Sequence, residues 1–373
     1  MATEYPNWIK RPGFYIKEEM DARGWNQRDL AFILGVPEQA VNMIISGKRG
    51  ISPDMARALG DAFDVNPDLF ANLQTDYDMA QAKEPKPSIK LLGQMQANYP
   101  VREMINRGWI QNTDAPLLEQ QLARFFKVPT SGEIPYMEHA AKKSKYEELN
   151  IPPAQLAWLF RAKHIASEMT VPKYSEKDLR EAVKQFESLL LAPEEVRSVP
   201  RILMECGVRY TIVEKLPNSK IDGVCFWLDK QSPVVGMSTQ RDTIDNFWFV
   251  LRHEIEHVLQ GHGREKEMID TDVQGQQVDA DPEEDIANAA AQSFCIPTDK
   301  LESFMRRKHP FYYEKDVIAF ARVNQRHPGL VVGQMQRRMN RYDYLARWLV
   351  KVRSFVLPGA VRDGWGEIAP VSL

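Results

Sequence analysis

His253-Glu254-Ile255-Glu256-His257 sets two imidazoles four residues apart. On a helix that spacing puts both on one face, one turn above each other. Two imidazoles so placed can grip one metal ion, usually zinc, and Glu254 then stands beside the open coordination position. Zinc lowers the pKa of a bound water to about 7, so hydroxide becomes available at neutral pH. A carboxylate in the place of Glu254 can take that water's proton and pass it to a leaving amine. Histidine is scarce, seven in 373 residues. The bland alternative is a core helix whose histidines bond internally.

The flanks favour the metal reading. Residues 245–252 run straight into the pentad, Val258-Leu259 continues it, and Gly261 and Gly263 are stop signals. Phe249 and Val250 lie one turn before His253, so the ligand face is expected to be buried. A third ligand is required. The metzincin pattern needs a third His six residues after the second, with Gly three after the second. Those positions are Gly263 and Gln260, which excludes it, and His262 is one residue short. A carboxylate on the next helix is the better candidate. Asp281 can cap that helix, Pro282 suits its first position, and Pro297 lies just past its end. Glu284, Ala287, Asn288 and Ala291 share a face, whose alanines allow close approach to the histidine helix. Glu284 also completes a capping box with Asp281. Spacing therefore leaves both Glu284 and Glu283 open as third ligand.

Residues 223–297 resemble the ImmA/IrrE metallopeptidase family. The matching stretches are Met237-Ser238 with Arg241, Asp245-Asn246-Phe247-Trp248-Phe249, the pentad itself, Met268-Ile269-Asp270, Glu284-Asp285-Ile286-Ala287-Asn288 and Ile296-Pro297. The resemblance implies Zn2+ as cofactor, held by His253, His257 and Glu284, with Glu254 as general base and then acid. It departs at Ala290, Phe294-Cys295, Arg252 and Glu256, positions that touch packing rather than ligands.

The chain's 373 residues lead one to expect two or three domains. A hydrophobic share of 43 % supports real cores, and a net charge of −3 implies no global polyanion-binding field. Three cysteines without a Cys-x-x-Cys pair suit a reducing cytoplasm. Residues 1–12 are polar and no apolar run approaches the ~18 residues of a membrane span, so no membrane partner is expected.

Residues 12–74 read as five short helices. Asn26 caps the second, Gly35-Val36-Pro37 makes a tight turn, a third runs over 38–46, and Ser52-Pro53 opens a fourth. Helix, Gly-containing turn and helix make a helix-turn-helix, whose second helix enters the major groove N-terminus first. Its outward residues are Glu38, Gln39, Asn42 and Met43, while Val41 and Ile44 point inward. Gln and Asn read adenine; Gln27 at a helix start, and Lys48 and Arg49 after the third helix, are placed for phosphate. The charge of residues 1–75, eight Lys/Arg against ten Asp/Glu, favours instead a plain bundle used for dimerisation. The residues Gln27-Arg28-Asp29-Leu30-Ala31, Gly35-Val36, Gly47-Lys48-Arg49-Gly50-Ile51 and Leu59-Gly60 resemble the XRE-type repressors. Pro12-Gly13, Asn72-Leu73-Gln74 and Tyr77-Asp78 are similar to HigA-like antitoxins. One recognition helix reads only a short half-site, so a homodimer on a palindromic double-stranded DNA operator is the expected arrangement.

Lys83-Glu84-Pro85-Lys86-Pro87 breaks the helical pattern. Residues 88–193 look wholly helical, with Leu122, Phe125, Phe126 and Trp158 as core and His139 and His164 as structural or surface residues. Three β-rich runs follow, 208–213, 224–228 and 233–237, as a small sheet before the histidine helix. An edge strand there can hold a peptide by main-chain hydrogen bonds. Residues 264–281 read as an acidic solvated loop and a candidate lid. Residues 306–353 carry twelve Lys/Arg against three Asp/Glu, a solvated helical face or a contact for DNA or an acidic partner. Gly329-Leu330-Val331-Val332-Gly333 with Gln336 resembles the tail of HigA-like proteins that carry a fused ImmA/IrrE domain.

The expectation is a mainly α protein with a small β-sheet (α+β). An all-α helix-turn-helix domain spans 1–80, a helical connecting region 88–195, a zincin-like metallopeptidase domain 196–300 and a helical basic segment 301–373. The implied function is a cytoplasmic DNA-binding regulator whose peptidase cleaves a repressor or antitoxin-like protein. The alternative is a non-enzymatic antitoxin or repressor, answering to a cognate toxin, whose zinc domain is structural or sensory.

Overall fold

The computed structural model describes residues 9–128, 152–264, 268–271 and 282–371. It forms two compact units, Met1–Pro87 and Ser88–Leu373. The first holds five helices among its described residues: α1 (Pro12–Ala22), α2 (Gln27–Leu34), α3 (Glu38–Ile45), α4 (Pro53–Phe63) and α5 (Asp68–Gln81). Their boundaries have local causes. The Asn26 side chain accepts from the Arg28 and Asp29 amides while Asp29 accepts from the Asn26 amide, a reciprocal cap. Gly35 ends α2 in the left-handed region, at φ 64°. Ser52 caps α4 by accepting from the Met55 amide. Ile16, Leu30, Val41, Ile44, Leu59, Phe63 and Phe70 close the core between them.

The second unit follows in chain order as α6 (Pro87–Asn98), α7 (Val101–Asn106), α8 (Ala115–Phe126), α9 (Pro153–Glu168), α10 (Glu176–Leu189), α11 (Val199–Glu205), β1 (Arg209–Val213), β2 (Ile221–Trp227), β3 (Pro233–Met237), α12 (Ile244–Gln260), β4 (Met268–Thr271), α13 (Pro282–Cys295), α14 (Thr298–Lys308), α15 (Glu314–Val323), α16 (Pro328–Met339) and β5 (Val361–Asp363). The sheet order is β4-β2-β3-β1-β5. β1 runs parallel to β3 and β5, and β2 antiparallel to β3 and β4. The mainly helical α+β architecture is the one expected.

Both faces of the sheet are covered. Val213, Val224, Phe226 and Val234 pack with α6 to α9, the helices expected as a connecting region. Tyr210, Ile212, Cys225, Trp227, Val235 and Met237 pack with α10 to α13. Alternate residues thus point into two different cores, and the strands read as continuous apolar runs. Two strands fall outside the expected set. β4 lies in the stretch expected as an acidic loop, and β5 in the tail expected to be helical. Both are too short to show a period, and their partners lie far away in sequence. Of the expected lid, residues 265–267 and 272–281 lie outside the described residues, as does the cap Asp281.

Buried polar bonds tie the C-terminal tail into this body. The Asp363 carboxylate accepts from Trp109 Nε1 at 2.7 Å and from Arg161 Nε at 2.8 Å. Arg161 also donates to the Ala369 carbonyl. The Gly329-to-Gly333 motif packs α16 on the start of α12. A Cβ at Gly333 would lie 2.6 Å from the Asp245 Cβ, and one at Gly329 2.8 Å from the Ile244 Cγ2. The three cysteines are buried and form no disulfide. No helix among the described residues is long and apolar enough to cross a membrane.

Candidate metal centre

Fourteen of the 17 residues of α12 are buried. The helix runs between the sheet and α13, where the small Ala287 and Ala291 are fully buried. His253 and His257 are fully buried on its inner face, with their Nε2 atoms 2.9 Å apart. Glu284 reaches in from α13. Its Oε2 is 3.5 Å from His253 Nε2 and its Oε1 3.7 Å from His257 Nε2. Ligand atoms about 2.0–2.2 Å from one ion lie within ~4.4 Å of one another, so these separations fit a single cation. Two imidazole nitrogens and a carboxylate turned toward one point in a dry interior repel unless a proton or cation lies between them. Nitrogen and oxygen donors without a thiolate suit zinc or a similar divalent ion.

Glu254 is fully buried beside this cluster and is not one of its three donors. Its carboxylate lies against the bare backbone of Gly223 in β2. A Cβ at Gly223 would fall 2.9 Å from Glu254 Cδ and 2.8 Å from Val250 Cγ1. The pairing of β2 with β4 shifts register between Ile221 and Gly223. Gly223 carries no motif of its own. Its signal is an isolated glycine inside a strand, which marks a bulge or a close approach.

Glu283, the alternative third ligand, is placed elsewhere. Its side chain is 49 % exposed and its Oε1 is 3.8 Å from His262 Nε2. Arg252 and Glu256, two of the departures noted above, form a partly buried ion pair at 2.6 Å. Burial pushes the Glu256 carboxyl up, but the Gln260 amide and Arg252 outweigh it and hold the group below its ordinary range. Phe294 and Cys295 sit in the core, and burial pushes the Cys295 thiol up to about 12.

On the helix-turn-helix unit, Val41 and Ile44 are buried, and Glu38, Gln39 and Asn42 are exposed on α3. Met43 is half-buried, and its carbonyl accepts from the Lys48 and Arg49 amides, which brings those exposed cations back beside α3. The Asn42 amide donates to Gln27 Oε1 at 3.3 Å, and Arg28 pairs with Glu38, so the starts of α2 and α3 share one polar surface. The basic segment is largely engaged within its own unit. Arg337 lies over the Phe249 ring, Arg326 is buried and pairs with Glu187, and Lys308, Arg338, Arg341 and Arg347 pair with carboxylates.

Family models match both regions. Residues 16–70 match the helix-turn-helix family, and residues 208–326 match the IrrE N-terminal-like domain of a peptidase family. The chain is 42 % identical over 74 residues to Virulence-associated protein A' of Dichelobacter nodosus, covering 20 % of this chain and 64 % of that protein. It thus spans somewhat under two thirds of that relative. It is 33 % identical over 82 residues to Virulence-associated protein I of the same organism, 22 % of this chain and 76 % of that protein. A solved addiction module antidote protein of a HigA family from Coxiella burnetii is 31 % identical, with 20 % of this chain and 82 % of that one covered, at a TM-score of 0.19. The chain therefore belongs to the helix-turn-helix family of Virulence-associated protein I. Behind that domain it carries a second one, of the IrrE-like kind.

Proposed function

We propose that the second unit is a zinc-dependent endopeptidase and that the first binds an operator in double-stranded DNA as a homodimer. The convergence of His253, His257 and Glu284 on one point, with Glu254 beside them, carries this reading. Zinc held by those three would supply a Lewis acid that activates water at neutral pH. Glu254, kept back by its seat on Gly223, takes a proton from the attacking water and returns it to the leaving amine. β4, at the edge of the sheet next to β2, offers main-chain groups that hold an extended peptide. The substrate class is a repressor or antitoxin-like protein, in keeping with the regulatory character of the helix-turn-helix domain. Gln39 and Asn42 read bases together with Glu38 and Met43, while Gln27, Lys48 and Arg49 contact the backbone.

The test combines metal analysis with cleavage of candidate repressors. His257→Ala leaves two of the three donors and should lose bound zinc. Glu254→Gln should keep zinc and fold but lose about 10²–10⁴-fold in rate, the usual contribution of general acid–base catalysis. Cleavage by Glu254→Gln at the wild-type rate removes the catalytic role. Zinc binding without cleavage in any pairing favours a regulator whose zinc domain is structural or sensory.

A further inference from the structure

Resting on the metal-centre reading above, we infer that His262 is a positioning residue for His257, fixing that ring's orientation and its tautomer. The turn after α12 is shaped to bring His262 back. Gly261 and Gly263 both lie in the left-handed region, at φ 74° and 77°. The His262 amide donates to the His257 carbonyl at 2.9 Å. Two left-handed residues around one histidine reverse the chain at low cost only when both are glycine. β2 then clamps the turn. Trp227 Nε1 donates to the His262 carbonyl at 2.8 Å, and a Cβ at Gly263 would lie 2.9 Å from the Cys225 carbonyl oxygen.

The outcome is a contact between rings. His262 Nδ1 lies 2.9 Å from His257 Nδ1, and the His262 side chain is 13 % exposed. The proton arrangement follows. A His257 that gives its Nε2 lone pair to an ion keeps its proton on Nδ1. Two ring nitrogens at hydrogen-bond distance share one proton, so His257 Nδ1–H donates and His262 Nδ1 accepts. The His262 proton is then on Nε2, which faces the Glu283 carboxylate at 3.8 Å. Metal-ligating histidines almost always give their other N–H to a carboxylate, carbonyl or water, and loss of that partner lowers metal affinity about 10–100-fold. Here an imidazole takes the proton and a carboxylate stands one step behind it. α13 thus serves both sides of His257 with adjacent residues, Glu284 toward Nε2 and Glu283 toward His262.

The experiment is zinc affinity of the full chain by competition with a chromophoric chelator. Far-UV circular dichroism and melting of the metal-free proteins check the fold. The variants are His262→Leu, His262→Asn and His257→Ala. Leucine keeps bulk without an acceptor, whereas the Asn Oδ1 occupies nearly the place of the imidazole Nδ1. His262→Leu should bind zinc about 10–100-fold more weakly, and His262→Asn close to wild type. Wild-type affinity in His262→Leu overturns the inference. So does equal weakening in Leu and Asn, which would make His262 a packing residue only. Wild type that binds no better than His257→Ala would overturn the metal centre itself, a different failure.

Discussion

The two units place their candidate sites in opposite surroundings. On the first, Gln39, Asn42, Lys48 and Arg49 stand exposed on a bundle whose core lies behind them. In the second, His253, Glu254 and His257 have no exposure at all, and their neighbours come from β2 and α13. An exposed polar face contributes little to the fold, so its residues can change with the partner at small cost in stability. A buried polar cluster is part of the fold, because each unmet charge or donor costs free energy. Function and stability should therefore be separable across the first unit's exposed face, whereas in the second only near-isosteric changes such as Glu254→Gln should spare the fold.

The hardest test of that contrast is the buried pair that ties the C-terminal tail to the body. Asp363→Ala strips Arg161, 2 % exposed, of its carboxylate. An uncompensated buried charge costs about 3–5 kcal/mol, so the urea midpoint of the second unit should fall sharply. A loss below ~1 kcal/mol would mean that the tail is not locked by this bond.

A smaller effect comes from His164, buried against Phe125 and Phe160. Burial first, then the charges of Lys127, Arg161 and Lys163, lower its pKa from 6.5 to about 4. The folded state thus prefers the neutral ring. Its contribution is whole above pH 6.5, where the unfolded histidine is also neutral, and is lost as pH falls toward 4. The shift corresponds to ~3 kcal/mol. Unfolding free energies at pH 7.5 and 4.5 should differ by ~2–3 kcal/mol more in wild type than in His164→Leu. Equal pH dependence in the two proteins would sink the assignment.

The smallest change in stability belongs to the first unit. Gln39→Ala and Asn42→Ala should weaken binding to the protein's own promoter DNA by about 1–3 kcal/mol each in gel shift. Their unfolding free energies should stay within ~0.5 kcal/mol of wild type. A stability loss beyond that would erase the contrast between the two units, and unchanged DNA binding would dismiss α3 as the reader.

Whatever depends on neighbours within a few residues was legible in the chain alone. Asn26 and Ser52 marked helix starts, Gly35 a helix end, and the five helices of the first unit followed. The four-residue step from His253 to His257 placed two imidazoles on one face without any tertiary knowledge. The α+β class was legible for the same reason. What needed the tertiary structure was every choice among segments. Spacing leaves Glu283 and Glu284 open at one helix start and the resemblance favours Glu284; the rotation of α13, with Ala287 and Ala291 against α12, turns that one toward the histidines and the other toward His262. β1, β2 and β3 were legible as β-rich runs, whereas β4 and β5 are strands because distant partners pair with them. Gly223 looks like any strand glycine until Glu254 is laid on it. Caps and helical period act over one or two turns of chain. A donor cluster, a cradle or a buried ion pair exists only where packing brings remote segments within a few ångströms.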